Sequence, residues 1–465
     1  MSLNFIYKIL LTAILITIPH NVNSALNHDS ETIKTIRIHG IQRSDTSMVK
    51  AVSGLQTEMP FDSSVIETAR KNLRRTGLFS KIDIVYLSKD TGVDIYLFLR
   101  EAPALLLSDI GGELYSHKYG EQDLWWRMRF GFTHNNFRGL MERLSVNVSF
   151  WEWRSLGAYW HKPVINTPYF LGLGSYWAQY PYDIYDHDYQ DISARITAGR
   201  QLSANSRIGL SIVPTFRRRH SRDTLDNLKE IPETLKTYDT TDFYEAFALI
   251  GLVFDNRSNR FDPENGYYSY SEIKTNLLYP GINRNLIQFS NDFRFYFPGI
   301  STDHKLALRL NTVLRYGDAG TYHRLLYGGD GQVRGYYKKK LGLTFVANNS
   351  LILSSEYRFP IWHAPEMYFP LINLMYSGIN VLSWRLDGAV FFDYVRMWPN
   401  LTEIFSKNGK TETGRGFGAG LRVMFPAIQT SGCIDIAFGE RRSEDNNSKR
   451  FTWPPITHLY LNMHF

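Results

Sequence analysis

The chain has 465 residues, of which 43% are hydrophobic, 15% aromatic and 21% charged, with a formal net charge of +7 and a pI near 9.1. A mean hydropathy of -0.28 excludes a bundle of membrane-crossing helices, and the length admits two or three domains or one large barrel with an appendage. Lys and Arg are scattered rather than gathered on one face, which excludes a dedicated nucleic-acid surface, and the single cysteine, Cys433, excludes an internal disulfide.

Positions 1–24 carry the marks of a secretory signal: Lys8 as the positive flank, an apolar core over 9–18, and Val22-Asn23-Ser24 before Ala25. The apolar core is too short to span a bilayer as a helix. The signal is expected to be cleaved before Ala25, leaving a short linker over 25–32.

From 33 to 102 the pattern reads strand, helix, helix, strand, strand. Thr35-Ile36-Arg37-Ile38 alternates and stops at His39-Gly40; 45–52 is a helix capped by Ser44 or Asp45. Pro60 and Asp62 open a second helix with Val65, Ile66, Ala69 and Leu73 on its apolar side, ended by Gly77. Strands follow over 82–87 and 93–99. This order, together with Thr76-Gly77-Leu78-Phe79-Ser80, resembles a POTRA domain, an α+β module of the periplasm. The resemblance places the second strand, with Ile82, Ile84 and Tyr86, at a sheet edge, where unpaired backbone groups can take up an extended polypeptide.

After Glu101-Ala102-Pro103 the helical period disappears. Segments of about ten residues alternate apolar and polar to the end of the chain, each bounded by Gly, Pro, Asn or Asp, as in an all-β transmembrane barrel over 103–465. The clearest puts Ile287, Phe289, Phe293, Phe295 and Phe297 on one face and Gln288, Ser290, Asp292 and Arg294 on the other. In the next, Leu306, Leu308, Leu310 and Leu314 oppose Lys305, Arg309, Asn311 and Arg315. About sixteen antiparallel strands follow, an even number as bacterial barrels require. They start near Leu105, Leu124, Leu144, Leu156, Phe170, Gln190, Ser206, Phe243, Tyr267, Leu286, Lys305, Asn349, Leu386, Gly416, Cys433 and Thr457. If the first strand climbs outward from the periplasm, even-to-odd connections are short periplasmic turns and odd-to-even ones long external loops; Phe137-Arg138-Gly139 and 317–348 fall accordingly. One connection departs from this rule. Between the twelfth and thirteenth strands, 362–382 inserts mostly apolar residues that either extend both strands or form an interfacial helix.

The loop over 317–348 contains Tyr327-Gly328-Gly329-Asp330-Gly331-Gln332-Val333-Arg334-Gly335-Tyr336. It resembles the Val-Arg-Gly-Tyr loop of the bacterial outer-membrane protein assembly superfamily, the relatives of BamA and TamA. Further stretches resemble the same family: the turn over 254–266, Glu356-Tyr357-Arg358-Phe359-Pro360, Val390-Phe391-Phe392-Asp393, and Gly416-Phe417-Gly418-Ala419-Gly420-Leu421-Arg422. The resemblance covers nearly all of 33–465. It implies that the loop folds into the barrel and that Arg334 reaches acidic groups on the inner wall.

Alternation supplies the partners. Leu351, Leu353, Tyr357 and Phe359 facing lipid put Glu356 and Arg358 inside; Leu386, Val390, Phe392 and Tyr394 facing lipid put Asp393 inside. A charge facing lipid would cost about 2–4 kcal/mol near the midplane. Arg334 is therefore expected to pair with Glu356 and Asp393, a guanidinium engaging carboxylates through two parallel bonds that a lysine cannot reproduce. The last residues, with Leu459, Leu461, Met463 and Phe465, alternate and end in an aromatic. The resemblance implies that they pair along an easily opened seam with the first strand, where Leu105 and Leu107 lie and Gly111-Gly112 weakens pairing.

Serine-hydrolase, phosphate-binding and zinc-protease motifs are absent, and the thirteen histidines lie too far apart for local metal-ligand spacing, so no enzyme, cofactor or metal is expected. Arg217-Arg218-Arg219 reads as a solvated face or a contact with anionic lipid. The expected function is an outer-membrane assembly factor with its POTRA domain in the periplasm, whose partners are outer-membrane lipids, unfolded outer-membrane or secreted polypeptide clients and accessory periplasmic or lipoprotein subunits. The alternatives are a two-partner-type polypeptide secretion pore and a passive porin.

Overall fold

The computed structural model describes residues 31–461 apart from 91, 103, 117–123, 152–153, 165–166, 183–186, 204, 222–242, 260–261, 279–285, 318–324, 326, 329–331, 337–346, 366, 369–380, 404–410, 427–429, 443–448 and 452–454. The expected signal and most of the linker, with Gly329, Met463 and Phe465, lie outside the described residues.

The N-terminal domain is β1 (Ile33–His39), α1 (Thr46–Ser53), α2 (Ser63–Thr76), β2 (Phe79–Lys89) and β3 (Gly92–Glu101). Asp45 is the cap of α1 rather than its first helical residue: its carboxylate accepts the Ser47 and Met48 amides, which the helix leaves without partners. Gly54 and Gly77 end the two helices at φ 77 and φ 67, where a side chain would be strained. Both helices lie on one face of a three-stranded sheet of order β1-β3-β2. Val49, Ile66, Ala69 and Leu73 pack there on Ile82, Ile84, Ile95 and Leu97, all buried. β1 is parallel to β3 and β2 antiparallel, so β2 is indeed an edge strand.

The second region is a barrel of β4 (Leu105–Ser116), β5 (Leu124–Phe137), β6 (Glu142–Trp151), β7 (Arg154–Pro163), β8 (Tyr169–Tyr182), β9 (His187–Ser203), β10 (Ser206–Ser221), β11 (Phe243–Asp255), β12 (Gly266–Leu278), β13 (Ile287–Pro298), β14 (Lys305–Tyr316), β15 (Asn349–His363), β16 (Met367–Tyr368), β17 (Val381–Leu382), β18 (Arg385–Trp398), β19 (Glu412–Phe425), β20 (Thr430–Arg442), β21 (Lys449–Phe451) and β22 (Ile456–Leu461). Neighbours in sequence pair antiparallel, β15 pairs directly with β18, and the order returns from β22 to β4. β21 and β22 pair with successive stretches of β20 and so share one position in the wall. Counted that way, and with β16 and β17 set apart as a two-stranded sheet of their own, the described strands occupy sixteen positions in the wall. The starts read from the sequence agree with these strands to within four residues, the widest gap being Gly416 against Glu412.

The period of two survives folding. Ile287, Phe295, Phe297 and Leu308 are exposed on the outer surface, while Asp292 on the inner face binds both Arg294 and Arg309. The insert between β15 and β18 resolves in favour of strand extension within the described residues. β15 runs to His363, and Met367–Tyr368 pairs with Val381–Leu382. Trp362 and Trp384 pack edge to face at 4.7 Å at the base of this extension.

The two regions are joined at the turn between β5 and β6. The Asp45 amide at the start of α1 donates to the Gly139 carbonyl at 3.0 Å, and Asn136 donates to the Ser44 hydroxyl at 2.9 Å. Gly139 sits at φ +77, and a Cβ there would lie 2.2 Å from the Arg43 carbonyl oxygen. Glu101, the last residue of β3, accepts the Arg43 and Ser44 amides at 3.1 and 2.7 Å.

Candidate functional site: an arginine loop seated on the barrel wall

Arg334 is completely buried although it belongs to a loop, and the strand register explains how it is received. Ser354 lies opposite Asp393 and Glu356 opposite Phe391, so both acids point inward from adjacent strands two residues apart. The Arg334 guanidinium grips Asp393 with two parallel bonds, Nε to Oδ2 at 2.8 Å and Nη2 to Oδ1 at 3.0 Å. Nη1 donates to Glu356 at 2.6 Å and to Asp435 at 3.2 Å. The Arg334 backbone amide also donates to Asp393, at 3.0 Å, and the guanidinium carbon stands 3.5 Å from the centre of the Phe391 ring. Four donated side-chain bonds plus a ring face compensate most of what burial takes from a cation.

Glu356 and Asp435 are shared with a second buried cation. Arg422 donates to Glu356 at 2.9 Å and to Asp435 at 2.6 Å, and Arg358 donates to Glu356 at 2.7 Å. Tyr460 of β22 completes Asp435 through its hydroxyl at 2.6 Å. Arg334, Arg358 and Arg422 thus face Glu356, Asp393 and Asp435, and all six are at least 97% buried. Equal numbers of each sign let this many charges sit away from water; removing any one would leave an uncompensated charge.

The loop backbone rests on a strip of wall without side chains. Gly416 of β19 and Gly439 of β20 are direct partners. A Cβ on Gly416 would lie 1.9 Å from the Arg334 carbonyl oxygen, and one on Gly439 would lie 2.0 Å from the Gly335 carbonyl oxygen. Gly335 itself has φ +88, and a Cβ there would meet Gly439 at 2.6 Å. Gly420 leaves room for the Asp435 carboxylate, which a Cβ would approach to 1.9 Å. The recurrent glycines of β19 are therefore a matter of space.

On either side of Arg334 the loop is keyed to the wall. The Gly335 amide donates to His458 Nε2 on β22 at 3.1 Å. Tyr336 reaches the place where the β19–β20 register ends at Gly416 and Gly439; its hydroxyl accepts the Arg415 amide at 3.0 Å and lies 2.7 Å from the Glu440 carbonyl, to which it can donate. A side chain thus replaces a cross-strand rung. Val333 is buried against Ile352, Val395 and Met397, and the Tyr327 hydroxyl bonds Ser350 at 2.6 Å.

Comparison with known proteins gives a consistent result. Residues 116–453 match the Omp85 superfamily domain, and residues 31–102 match the POTRA domain described as a surface antigen variable number repeat. The chain belongs to the Omp85 superfamily. This makes it an outer-membrane β-barrel with a periplasmic POTRA domain. Among solved structures it is similar to BamA from Haemophilus ducreyi lacking POTRA domains 1–3, at 16% identity and a TM-score of 0.55, covering 92% of this chain and 83% of that one. CdiB from Acinetobacter baumannii is similar at 15% identity and a TM-score of 0.55, covering 93% and 74%. CdiB from Escherichia coli is similar at 11% identity and a TM-score of 0.54, covering 96% and 92%. At these identities the likeness concerns the fold. No curated protein is significantly similar to the chain in sequence.

Within this Omp85 chain, the structure brings Arg334, Glu356 and Asp393 together. Gly328 has φ +127, and Val333, Gly335 and Tyr336 all contact the wall. Phe391 and Arg422 stand in the stretches quoted above without an assigned role, and Asp435, Tyr460 and His458 carry no motif; continuing the inward parity from Gly416 to Arg422 and from Cys433 to Asp435 reaches two of the five. The candidate seam is β4 beside β22, with Leu105 and Leu459 exposed at 46% and 52% and Gly111 and Gly112 opposite Arg129 and Met128 of β5. The POTRA edge strand β2 carries Ile82, Ile84 and Tyr86, and its side chains divide between core and surface. Ile82 and Ile84 point into the core, and the groups β2 presents are Val85, Tyr86 and Leu87, since the pleat turns those isoleucines under the helices.

Proposed function

We propose that this protein is a non-enzymatic outer-membrane assembly factor, which inserts client β-strands by pairing them at the seam between β4 and β22. The carrying observation is an asymmetry across that seam. On one side, the loop around Arg334 is bonded to β15, β18, β20 and β22, so the last strand belongs to a braced wall. On the other side, β4 contains Gly111-Gly112, which add no side-chain contact to the pairing. A client strand then replaces one set of backbone hydrogen bonds by another, which requires no cofactor. The exposed edge of β2, with Tyr86 beside it, would hold an extended client before insertion. The surrounding lipids and accessory periplasmic or lipoprotein subunits complete the set of proposed partners.

A polypeptide secretion pore is the second reading, favoured by the likeness to two CdiB structures that is as close as the likeness to BamA. One experiment separates them. Cysteine pairs placed across Leu105–Gly112 and Leu459–Leu461 would be oxidised in proteoliposomes, and insertion of an unfolded barrel client followed. Insertion is expected to stop on oxidation and return on reduction. Unimpaired insertion with the seam locked would overturn the proposal, and passage of a secreted polypeptide through a locked barrel would establish the pore.

A further inference from the structure

The helices of the POTRA domain cover one face of its sheet and leave the other open. Register assigns that open face: Arg37 and His39 from β1, Tyr96, Phe98 and Arg100 from β3, and Lys81, Asp83, Val85 and Leu87 from β2. Phe98 is 45% exposed and stacks on His39 at 5.2 Å, and Arg37 lies 5.7 Å from the centre of the Tyr96 ring. At the end of the sheet nearest the barrel, Lys81 and Arg100 are direct cross-strand partners. Like charges placed directly opposite each other destabilise a sheet. Asp83 pairs with Lys81 at 3.0 Å, in a solvent-exposed contact worth little by itself.

This cationic corner is close to the bilayer by covalent geometry. Arg100 lies five residues before Leu105, where the first membrane-spanning strand begins, and five extended residues reach at most about 18 Å. The hydrogen bonds that tie Ser44 and Asp45 to the β5–β6 turn hold the domain at that distance. We propose that Lys81, Arg100 and Phe98 form a docking surface for anionic phospholipid headgroups of the periplasmic leaflet. The two cations face phosphate, and the aromatic ring sits at the headgroup level, where aromatic side chains partition. The contact would fix the orientation of the edge strand β2 relative to the membrane and does not depend on the client reaction.

The full chain reconstituted in nanodiscs tests this. A nitroxide on Asp83→Cys reports the open face and one on Lys71→Cys the helical layer, Cys433 being buried. With a phosphatidylcholine–phosphatidylglycerol bilayer, the label at 83 is expected to be shielded from a water-soluble nickel chelate and the label at 71 to remain accessible. Phosphatidylcholine alone should remove the shielding. Lys81→Gln and Arg100→Gln should each weaken it about fivefold, the equivalent of about 1 kcal/mol per basic residue near an anionic surface. Phe98→Ala should weaken it in the phosphatidylglycerol-containing bilayer as well, through loss of the ring at the headgroup level. All three side chains are exposed, so the domain should keep its far-ultraviolet circular dichroism. Equal accessibility of the label in the two bilayers would overturn the proposal. So would shielding that appears only when an unfolded client polypeptide is added and ignores lipid charge, which would assign the face to clients.

Discussion

Two interiors of this molecule are held by opposite means. The POTRA core is aliphatic and aromatic throughout, with Ile33, Val49, Leu73, Ile95 and Leu97 packed without a charge among them. The loop seat in the barrel is built from three arginines and three acids, with glycines cut away to admit backbone. Apolar packing falls off gradually when an atom is lost, because neighbours relax into the space. A balanced cluster of buried charge has no such tolerance, since each member is the solvent of the others. The difference suits the two tasks: the POTRA core needs only to keep its sheet and helices together, whereas the loop must adopt a single position against a wall that borders a seam.

The comparison is most severely tested by deletion. Arg334→Ala is expected to cost about 3–5 kcal/mol of loop anchoring, seen as protease cleavage within 317–348 of the folded barrel. Leu73→Ala in the POTRA core should cost about 2–5 kcal/mol in denaturant unfolding and leave the loop protected. Converting both members of the main pair, Arg334→Met with Asp393→Leu, should recover part of the lost protection, because no unpaired charge remains. A double variant as poorly protected as Arg334→Ala would mean that specific hydrogen bonds, not charge balance, hold the loop.

A smaller effect is expected from the seat. Gly439→Ala forces a methyl into a position 2.0 Å from the Gly335 carbonyl oxygen, so loop and wall must separate. Overpacking of this kind costs about 1–3 kcal/mol. Loop protection should fall while the heat-dependent mobility of the barrel remains, and an unchanged loop would show that the wall yields instead.

The smallest effect concerns the junction. Burial pushes the Glu101 carboxyl up, and hydrogen bonds from Ser44 and Arg43 outweigh it, so its pKa lies below the ordinary 4.5. A depressed carboxylate contributes stability that is complete above that value and is lost as pH falls through the folded-state pKa. The attachment of the POTRA domain should therefore loosen below about pH 4.5, measured by hydrogen exchange at Arg43 and Ser44, and Glu101→Gln should flatten that dependence.

Much of this architecture is written in local chemistry. Alternation of apolar and polar residues determined the strands and their faces, because a pleated strand between lipid and water admits one phase only; the inward aim of Glu356, Arg358 and Asp393 follows from it. Asp45, Gly54 and Gly77 likewise announce the helix ends through bonds and angles that only their own neighbours need. Tertiary structure decided what parity cannot carry, namely which inward groups of distant strands share a depth. Asp435 and Arg422 join Arg334 only through the stagger of β19 and β20, and Gly416 meets Gly439 by the same register. The insert after β15 was undecidable for the related reason that its apolar residues suit a helix or a strand, and pairing between Met367–Tyr368 and Val381–Leu382 supplied the backbone partners that chose the strand.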